Sequence, residues 1–139
     1  MSDKAFIDSN LWLYAFALRL GEEARHEQAR ALIEAPARYT ISEQVIAEVS
    51  VNLLKKAHLP EDRLLGIVES FYVRCNVATL DITTHRAASR LRQAYGFSYW
   101  DSLIVAAALG AGCTTLYSED MQHGRVIDDQ LTILNPLTV

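Results

Sequence analysis

The sequence predicts an α/β fold in which helices cover a mostly parallel β-sheet. Short apolar segments alternate with longer helical segments in the order β-αα-β-αα-β-αα-β-β. The short segments are mostly apolar, which is typical of parallel strands that are buried on both faces. With 139 residues, of which 50% are hydrophobic, the chain is long enough to bury one core. We therefore expect residues 1–139 to form a single domain.

The boundaries of the elements follow from apolar runs and from residues that start or stop helices. The predicted strands are residues 4–7, 39–41, a segment within 75–82, 114–117 and 131–134. The predicted helices are residues 10–20, 23–34, about 43–57, about 61–73, one that Thr83 or Thr84 caps and that runs to about Tyr95, and one from Ser98 that Gly110 and Gly112 close. Ser42 is a candidate N-cap for the third helix, and Pro60 is a typical starting residue for the fourth. The expected sheet has five strands.

Acidic residues recur where the predicted strands end. Asp8 follows the first strand and Asp120 follows the fourth, while Asp101 begins the sixth helix. In parallel sheets, sites form outside the carboxyl ends of the strands. Glu48 lies inside the third helix and borders the apolar stripe of that helix. These four acids are therefore candidates for one site.

Each acid also has an ordinary structural explanation. Asp8 could cap a helix, Glu48 could be a solvated helix residue, and Asp120 could lie in a solvated turn. Ser98 and Asp101 have the spacing of a capping box before an apolar run, and the helix dipole also favours an acid there. Spacing alone does not decide between the structural and the functional explanation.

Four carboxylates at one edge of the sheet would indicate a metal site. Carboxylates that lie close together repel, and their pKa values rise unless a cation neutralises them. Oxygen ligands favour Mg²⁺ or Mn²⁺ over zinc, and Mg²⁺ bridges carboxylates to phosphate oxygens. The chemistry that suits such a site is phosphodiester hydrolysis by a metal-activated water. The sequence leaves open whether Asp120 or its neighbour Glu119 supplies the fourth carboxylate.

Composition and spacing disfavour several other classes of protein. The net charge of −4 gives no bulk sign of nucleic-acid binding, although acids held in a metal site would leave the remaining surface nearly neutral. Cys75 and Cys113 belong to no Cys-x-x-Cys pair and are expected to be packed thiols, and the histidines lack zinc-ligand spacing. The sequence shows no membrane-spanning run and no signal-peptide pattern, so we expect a cytoplasmic protein with no membrane partner.

Four segments carry the acids, and their order and spacing are specific although each segment is short. They are FIDSN at 6–10, SEQVIAEV at 42–49, SYWDSLIVAAA at 98–108 and YSEDMQHG at 117–124. With these segments the chain resembles a PIN-domain ribonuclease, most closely the VapC-type toxins of bacterial toxin–antitoxin pairs. The resemblance spans nearly the whole chain.

The resemblance implies a PIN-like three-layer α/β/α fold with a five-stranded sheet in the order 3-2-1-4-5. It also implies that the catalytic, metal-binding acids are Asp8, Glu48, Asp101 and Asp120. The polar residues that would support these acids are Asn10 and Ser118, with Ser9 a weaker candidate. Such proteins cut RNA with Mg²⁺ or Mn²⁺ and commonly form homodimers. A cognate antitoxin blocks the site, and the complex contacts DNA only through the antitoxin.

The expected function is that of a Mg²⁺- or Mn²⁺-dependent endoribonuclease, the toxin of a type II toxin–antitoxin pair. A metal-activated water would attack the RNA phosphate and leave 3′-hydroxyl and 5′-phosphate ends. The alternative is a non-catalytic PIN-like module that acts mainly in an antitoxin-bound, DNA-binding repressor complex. A phosphate-binding receiver-like domain is disfavoured because no lysine follows the fourth strand. The sequence does not specify the RNA target, the antitoxin or the number of metal ions.

Overall fold

The computed structural model describes residues 4–137, in which six strands form one sheet. The strands are β1 Ala5–Ile7, β2 Thr40–Ser42, β3 Asn76–Ala78, β4 Thr115–Tyr117, β5 Val126–Ile127 and β6 Leu131–Leu134. Their order across the sheet is β3-β2-β1-β4-β6-β5. All neighbouring pairs are parallel except β5 and β6. The mostly parallel sheet is therefore confirmed.

Six helices connect and cover the strands. They are α1 Ser9–Phe16, α2 Glu23–Glu34, α3 Glu43–Lys55, α4 Glu61–Arg74, α5 Ile82–Tyr95 and α6 Tyr99–Gly110. A pair of helices precedes each of β2, β3 and β4, as the alternating pattern predicts. Successive strand residues point to opposite faces of a sheet, and Phe6 and Ile7 of β1 are both fully buried. Both faces are therefore covered, which confirms the three-layer α/β/α fold.

The prediction of five strands was wrong by one edge strand. β5 has only two residues and pairs antiparallel with β6. Asp128 and Asp129 form the turn between these strands, both with a φ of 52°. A two-residue strand shows no alternation of apolar and polar residues, so the sequence could not reveal it. The parallel strands still follow the predicted order, with β6 in the fifth position.

Two helix boundaries also differ from the prediction. α1 ends at Phe16 rather than near residue 20, since Ala17 has an extended backbone; Leu18 and Leu20 beyond it are 63% and 99% exposed and pack against no core. Asp81, rather than a threonine, caps α5 by accepting a hydrogen bond from the Thr84 N–H. A carboxylate at this position satisfies a free N–H group and favours the positive end of the helix dipole.

Other sequence-based details are confirmed. Ser42 and Ser98 cap α3 and α6, and α5 ends at Tyr95, where the following Gly96 has a φ of 74°. Cys75 and Cys113 are buried free thiols. Among residues 4–137, none of the helices combines the length and the apolar character needed to cross a membrane.

Candidate metal centre

Asp8 lies at the carboxyl end of β1 and is buried. Its N–H donates to the Tyr117 carbonyl at 3.0 Å, which continues the pairing of β1 with β4. Its Oδ1 accepts from the Ser9 N–H at 2.7 Å, and its Oδ2 accepts from the Ser118 hydroxyl at 2.9 Å. Asp8 is therefore the N-cap of α1. A carboxylate has several lone pairs, so capping leaves acceptor capacity for another partner.

Glu48 projects from α3 at the border of the buried face, as predicted. Its Oε1 is buried and has no hydrogen-bond partner among the described residues. Burial, and then the charge of Asp8, raise the pKa of Glu48 to about 7, and the nearby Ser9 hydroxyl partly offsets the rise. A buried carboxylate oxygen without a donor is unfavourable unless the group is protonated or faces a cation. A divalent ion would satisfy this oxygen.

Asp101 lies in the first turn of α6. Its N–H donates to the Ser98 hydroxyl at 3.2 Å, which confirms the predicted cap. Burial raises the pKa of Asp101, the hydrogen bond from Ser98 lowers it, and the charge of Asp120 raises it. Asp101 is therefore both part of the capped first turn and close enough to Asp120 for the charge of Asp120 to raise its pKa.

Gln44 is a residue of this region that the sequence analysis did not single out. Its Nε2 donates to the Trp100 carbonyl at 3.2 Å and so joins α3 to α6. The side chain is buried, and its Oε1 has no hydrogen-bond partner within the described part of the chain. Gln44 precedes Glu48 by one helical turn and therefore lies on the same side of α3. That spacing was the signal available in the sequence.

Asp120 and its neighbour Glu119 have different partners. Asn10 donates from Nδ2 to the Oδ2 of Asp120 at 2.6 Å. Glu119 instead accepts from the Tyr14 hydroxyl at 2.9 and 3.1 Å, and lies 3.7 Å from the Nε of Arg25. Burial and the bond to Glu119 raise the pKa of Tyr14 to about 12, so its hydroxyl remains a donor at neutral pH. Glu119 is thus engaged by α1 and α2.

The four predicted acids interact electrostatically near the carboxyl ends of the parallel strands. Burial raises the pKa of Asp8 to about 6 against the hydrogen bonds that it accepts, and the charges of Asp120 and Asp101 add to the rise. The charges of Asp101 and Asp120 also raise the pKa of Glu48. Mutual repulsion of this kind is what a cation between the carboxylates would relieve.

The four acids supply the donor type that a hard divalent cation prefers, but their side chains are not arranged in a coordination geometry. In residues 4–137, no three Asp, Glu, His or Cys side chains are already arranged as a group that could hold a metal ion. Asp120 is hydrogen bonded to Asn10, and carboxylates without a cation repel. Coordination would therefore require side-chain rotation. The available donors are carboxylate oxygens, which suit Mg²⁺ or Mn²⁺.

Comparison with known proteins agrees with this architecture. A family model described as the PIN domain matches residues 5–128. No curated protein matches the chain. A toxin–antitoxin complex from Klebsiella pneumoniae contains a chain with a TM-score of 0.73 and 21% identity, over 98% of this chain and 100% of that chain.

Two further solved structures share the fold. The VapC20 toxin of Mycobacterium tuberculosis, described as cleaving the sarcin–ricin loop, has a TM-score of 0.66 and 19% identity, over 84% of this chain and 90% of that one. A DNA-bound VapBC complex from Salmonella typhimurium contains a chain with a TM-score of 0.68 and 19% identity, over 95% and 97%. At these identities the likeness shows the fold. The family model matches residues 5–128, which is most of this chain, and the chain therefore belongs to the PIN-domain family.

Proposed function

We propose that the protein is a metal-dependent endoribonuclease and the toxin of a toxin–antitoxin pair. The observation that carries the proposal is the buried Oε1 of Glu48, which has no hydrogen-bond donor among the described residues. The charges of Asp8, Asp101 and Asp120 also raise the pKa of this acid. Membership of the PIN-domain family supports nuclease activity. The similar toxin that is described as cleaving the sarcin–ricin loop supports RNA as the substrate.

In this proposal, the metal ligands are Asp8, Glu48, Asp101 and Asp120. When bound, Mg²⁺ or Mn²⁺ would lower the pKa of the attacking water and stabilise charge on the scissile phosphate. Ser118 and the Ser9 N–H fix the orientation of the Asp8 carboxylate, and Asn10 orients Asp120. Ser118, Ser9 and Asn10 are positioning residues. The chain supplies ligands and orientation, and no side-chain nucleophile is required.

An antitoxin partner belongs to the same proposal. Two of the similar structures are a toxin–antitoxin complex and a DNA-bound VapBC complex. DNA binding depends strongly on neutralising phosphates with cationic side chains. The chain has a net charge of −4, so DNA contact in such a complex would come through the antitoxin. Homodimer formation stays a prediction.

Cleavage of candidate RNAs tests the nuclease proposal. We expect the wild-type protein to cut RNA with Mn²⁺ or Mg²⁺ and to leave 5′-phosphate ends. Cleavage should stop in excess EDTA. Asp8→Asn should lower the rate by more than about 100-fold, because loss of even an outer-shell partner costs up to that factor. Asp129→Asn is the control, since Asp129 is exposed and lies in the turn before β6.

Two results would contradict the proposal. One is cleavage that persists in excess EDTA or in Asp8→Asn. The other is the absence of Mn²⁺ binding in calorimetric titration of the wild-type protein. The second result would favour the alternative, a non-catalytic module that acts with an antitoxin in a repressor complex.

A further inference from the structure

A polar pocket lies between α1 and α3, next to the carboxylates of the candidate metal centre. Its volume is about 180 Å³. The polar side chains that line it are Asn10, Tyr14, Arg19, Glu22, Asn52 and Lys56. The pocket is separate from the carboxylates themselves, none of which lines it.

One asparagine of this pocket contacts an acid of the metal centre, and a second binds the backbone one helical turn back along α3. Asn10 donates from Nδ2 to Asp120 at 2.6 Å, and Asn52 donates from Nδ2 to the Glu48 carbonyl at 2.8 Å. A side-chain amide carries two N–H donors, so each asparagine keeps a second donor beyond these contacts. A group that accepts from the second donor of Asn10 would therefore lie near Asp120.

The pocket also contains two cations without partners. Arg19 and Lys56 are exposed, and neither side chain has a hydrogen bond or an ion pair in the described residues. Arg90, by contrast, is paired with Asp128. Among the described residues, Glu22 is the one carboxylate that lines the pocket, so this lining carries a net positive charge. A cationic pocket beside an acidic centre suits an anion that must approach that centre.

Lys56 lies two helical turns beyond Glu48. At about 1.5 Å per residue, this places its backbone about 12 Å further along α3. The separation leaves space for a strand that crosses the acids and continues towards the pocket.

We propose that this pocket is a phosphate-binding subsite that holds a backbone phosphate of the RNA strand next to the phosphate that is cut. The inference rests on the proposed nuclease function and adds a binding site to it. Lysine and arginine bind phosphate through charge and through charge-assisted N–H donors, and amide groups complete such sites. Arg19 and Lys56 supply the charge, and Asn10 and Asn52 supply neutral donors.

Binding of a short, fluorescein-labelled, single-stranded RNA of mixed sequence tests the subsite by fluorescence anisotropy. The measurements use Asp8→Asn protein in EDTA, so that the RNA stays intact. Lys56→Gln and Arg19→Gln are compared with Lys55→Gln and Arg63→Gln, which remove the same charge from exposed positions outside the pocket.

Each pocket variant should weaken RNA binding about two- to fivefold, while the controls change it little. Each should also reduce the slope of log affinity against log salt by about 0.7, because one phosphate contact is lost. A structural defect would not change this slope selectively. With Mn²⁺ in the otherwise wild-type chain, Lys56→Gln should raise KM more than it lowers kcat.

Pocket variants that bind RNA as tightly as their controls would overturn the subsite. Calorimetry with inorganic phosphate separates the source of the anion: phosphate binding that Lys56→Gln abolishes, without any effect on RNA affinity, would indicate a free-anion site and also overturn it. The nuclease proposal fails in a different way, through RNA binding that depends on Lys56 but no cleavage with Mn²⁺. Cleavage with an unchanged KM in Lys56→Gln would remove the subsite alone.

Discussion

Replacing Asp8 with asparagine should stabilise the metal-free protein at neutral and alkaline pH. Asp8 is 6% exposed, and burial raises its pKa from 3.8 to about 6. An acid whose pKa is higher in the folded state binds its proton more tightly there, so ionisation lowers the free energy of unfolding. At about 1.4 kcal/mol per pH unit, the rise in pKa corresponds to about 3 kcal/mol.

The pH window follows from the two pKa values. Below the unfolded value of 3.8, Asp8 is protonated in both states and has no effect. Between 3.8 and about 6 it holds its proton only in the folded state, so wild-type stability falls as the pH rises. Above about pH 6, the stability of the wild type is lowered by the full amount that the rise in pKa implies. Asparagine does not ionise and can still accept from the Ser9 N–H, so the variant avoids this loss.

Urea unfolding in EDTA at pH 4 and pH 8 measures the difference. We expect the free energy of unfolding of Asp8→Asn to exceed that of the wild type by about 1 to 3 kcal/mol at pH 8, and by little at pH 4. Carboxylates distant from Asp8 titrate alike in both proteins and cancel in the comparison. Loss of the Asp8 charge also lowers the pKa of Glu48, which adds to the expected gain of the variant at pH 8. Asp129→Asn should follow the wild type. Mn²⁺ should stabilise the wild type by mass action and the variant much less. Equal pH dependence of the two proteins would refute the argument from burial.

Three other substitutions test the surroundings of the acids. Ser118→Ala removes a donor to Asp8 and should weaken Mn²⁺ binding about tenfold or more in calorimetry; unchanged affinity would exclude a positioning role. Asp120→Asn should abolish RNA cleavage while Glu119→Gln largely preserves it, and the reverse result would assign the fourth ligand to Glu119. Ser98→Ala removes the cap of α6 and should lower the free energy of unfolding by about 1 kcal/mol, seen as a lower Tm.

The parallel core of the fold could be predicted because its strands are apolar on both faces. Phe6 and Ile7 are adjacent and both fully buried, which is what a central parallel strand requires. The edge of the sheet lacked such a signal, and β5 was missed. The end of α1 was also missed, because the exposed positions of Leu18 and Leu20 depend on what the rest of the fold leaves uncovered.

The choice between Asp120 and Glu119 shows what the sequence could not supply. The two acids are adjacent and chemically similar, so local pattern does not separate them. Their partners come from distant residues, since Tyr14 binds Glu119 and Asn10 binds Asp120 only after β1 and β4 have paired. A contact of this kind depends on tertiary structure. The proposal of Asp120 as the fourth ligand therefore draws on the fold.

Helix capping and metal binding make different demands on Asp8. Asp8 does cap α1, but asparagine is about as good an N-cap and would avoid the loss of stability on ionisation. Capping alone therefore does not explain a buried carboxylate whose pKa is raised by burial and by the charges of other acids. Glu48 presents the same problem more sharply, because its buried Oε1 has no donor among the described residues. A divalent cation between these groups would remove both difficulties, since it favours the ionised carboxylates that burial and repulsion disfavour.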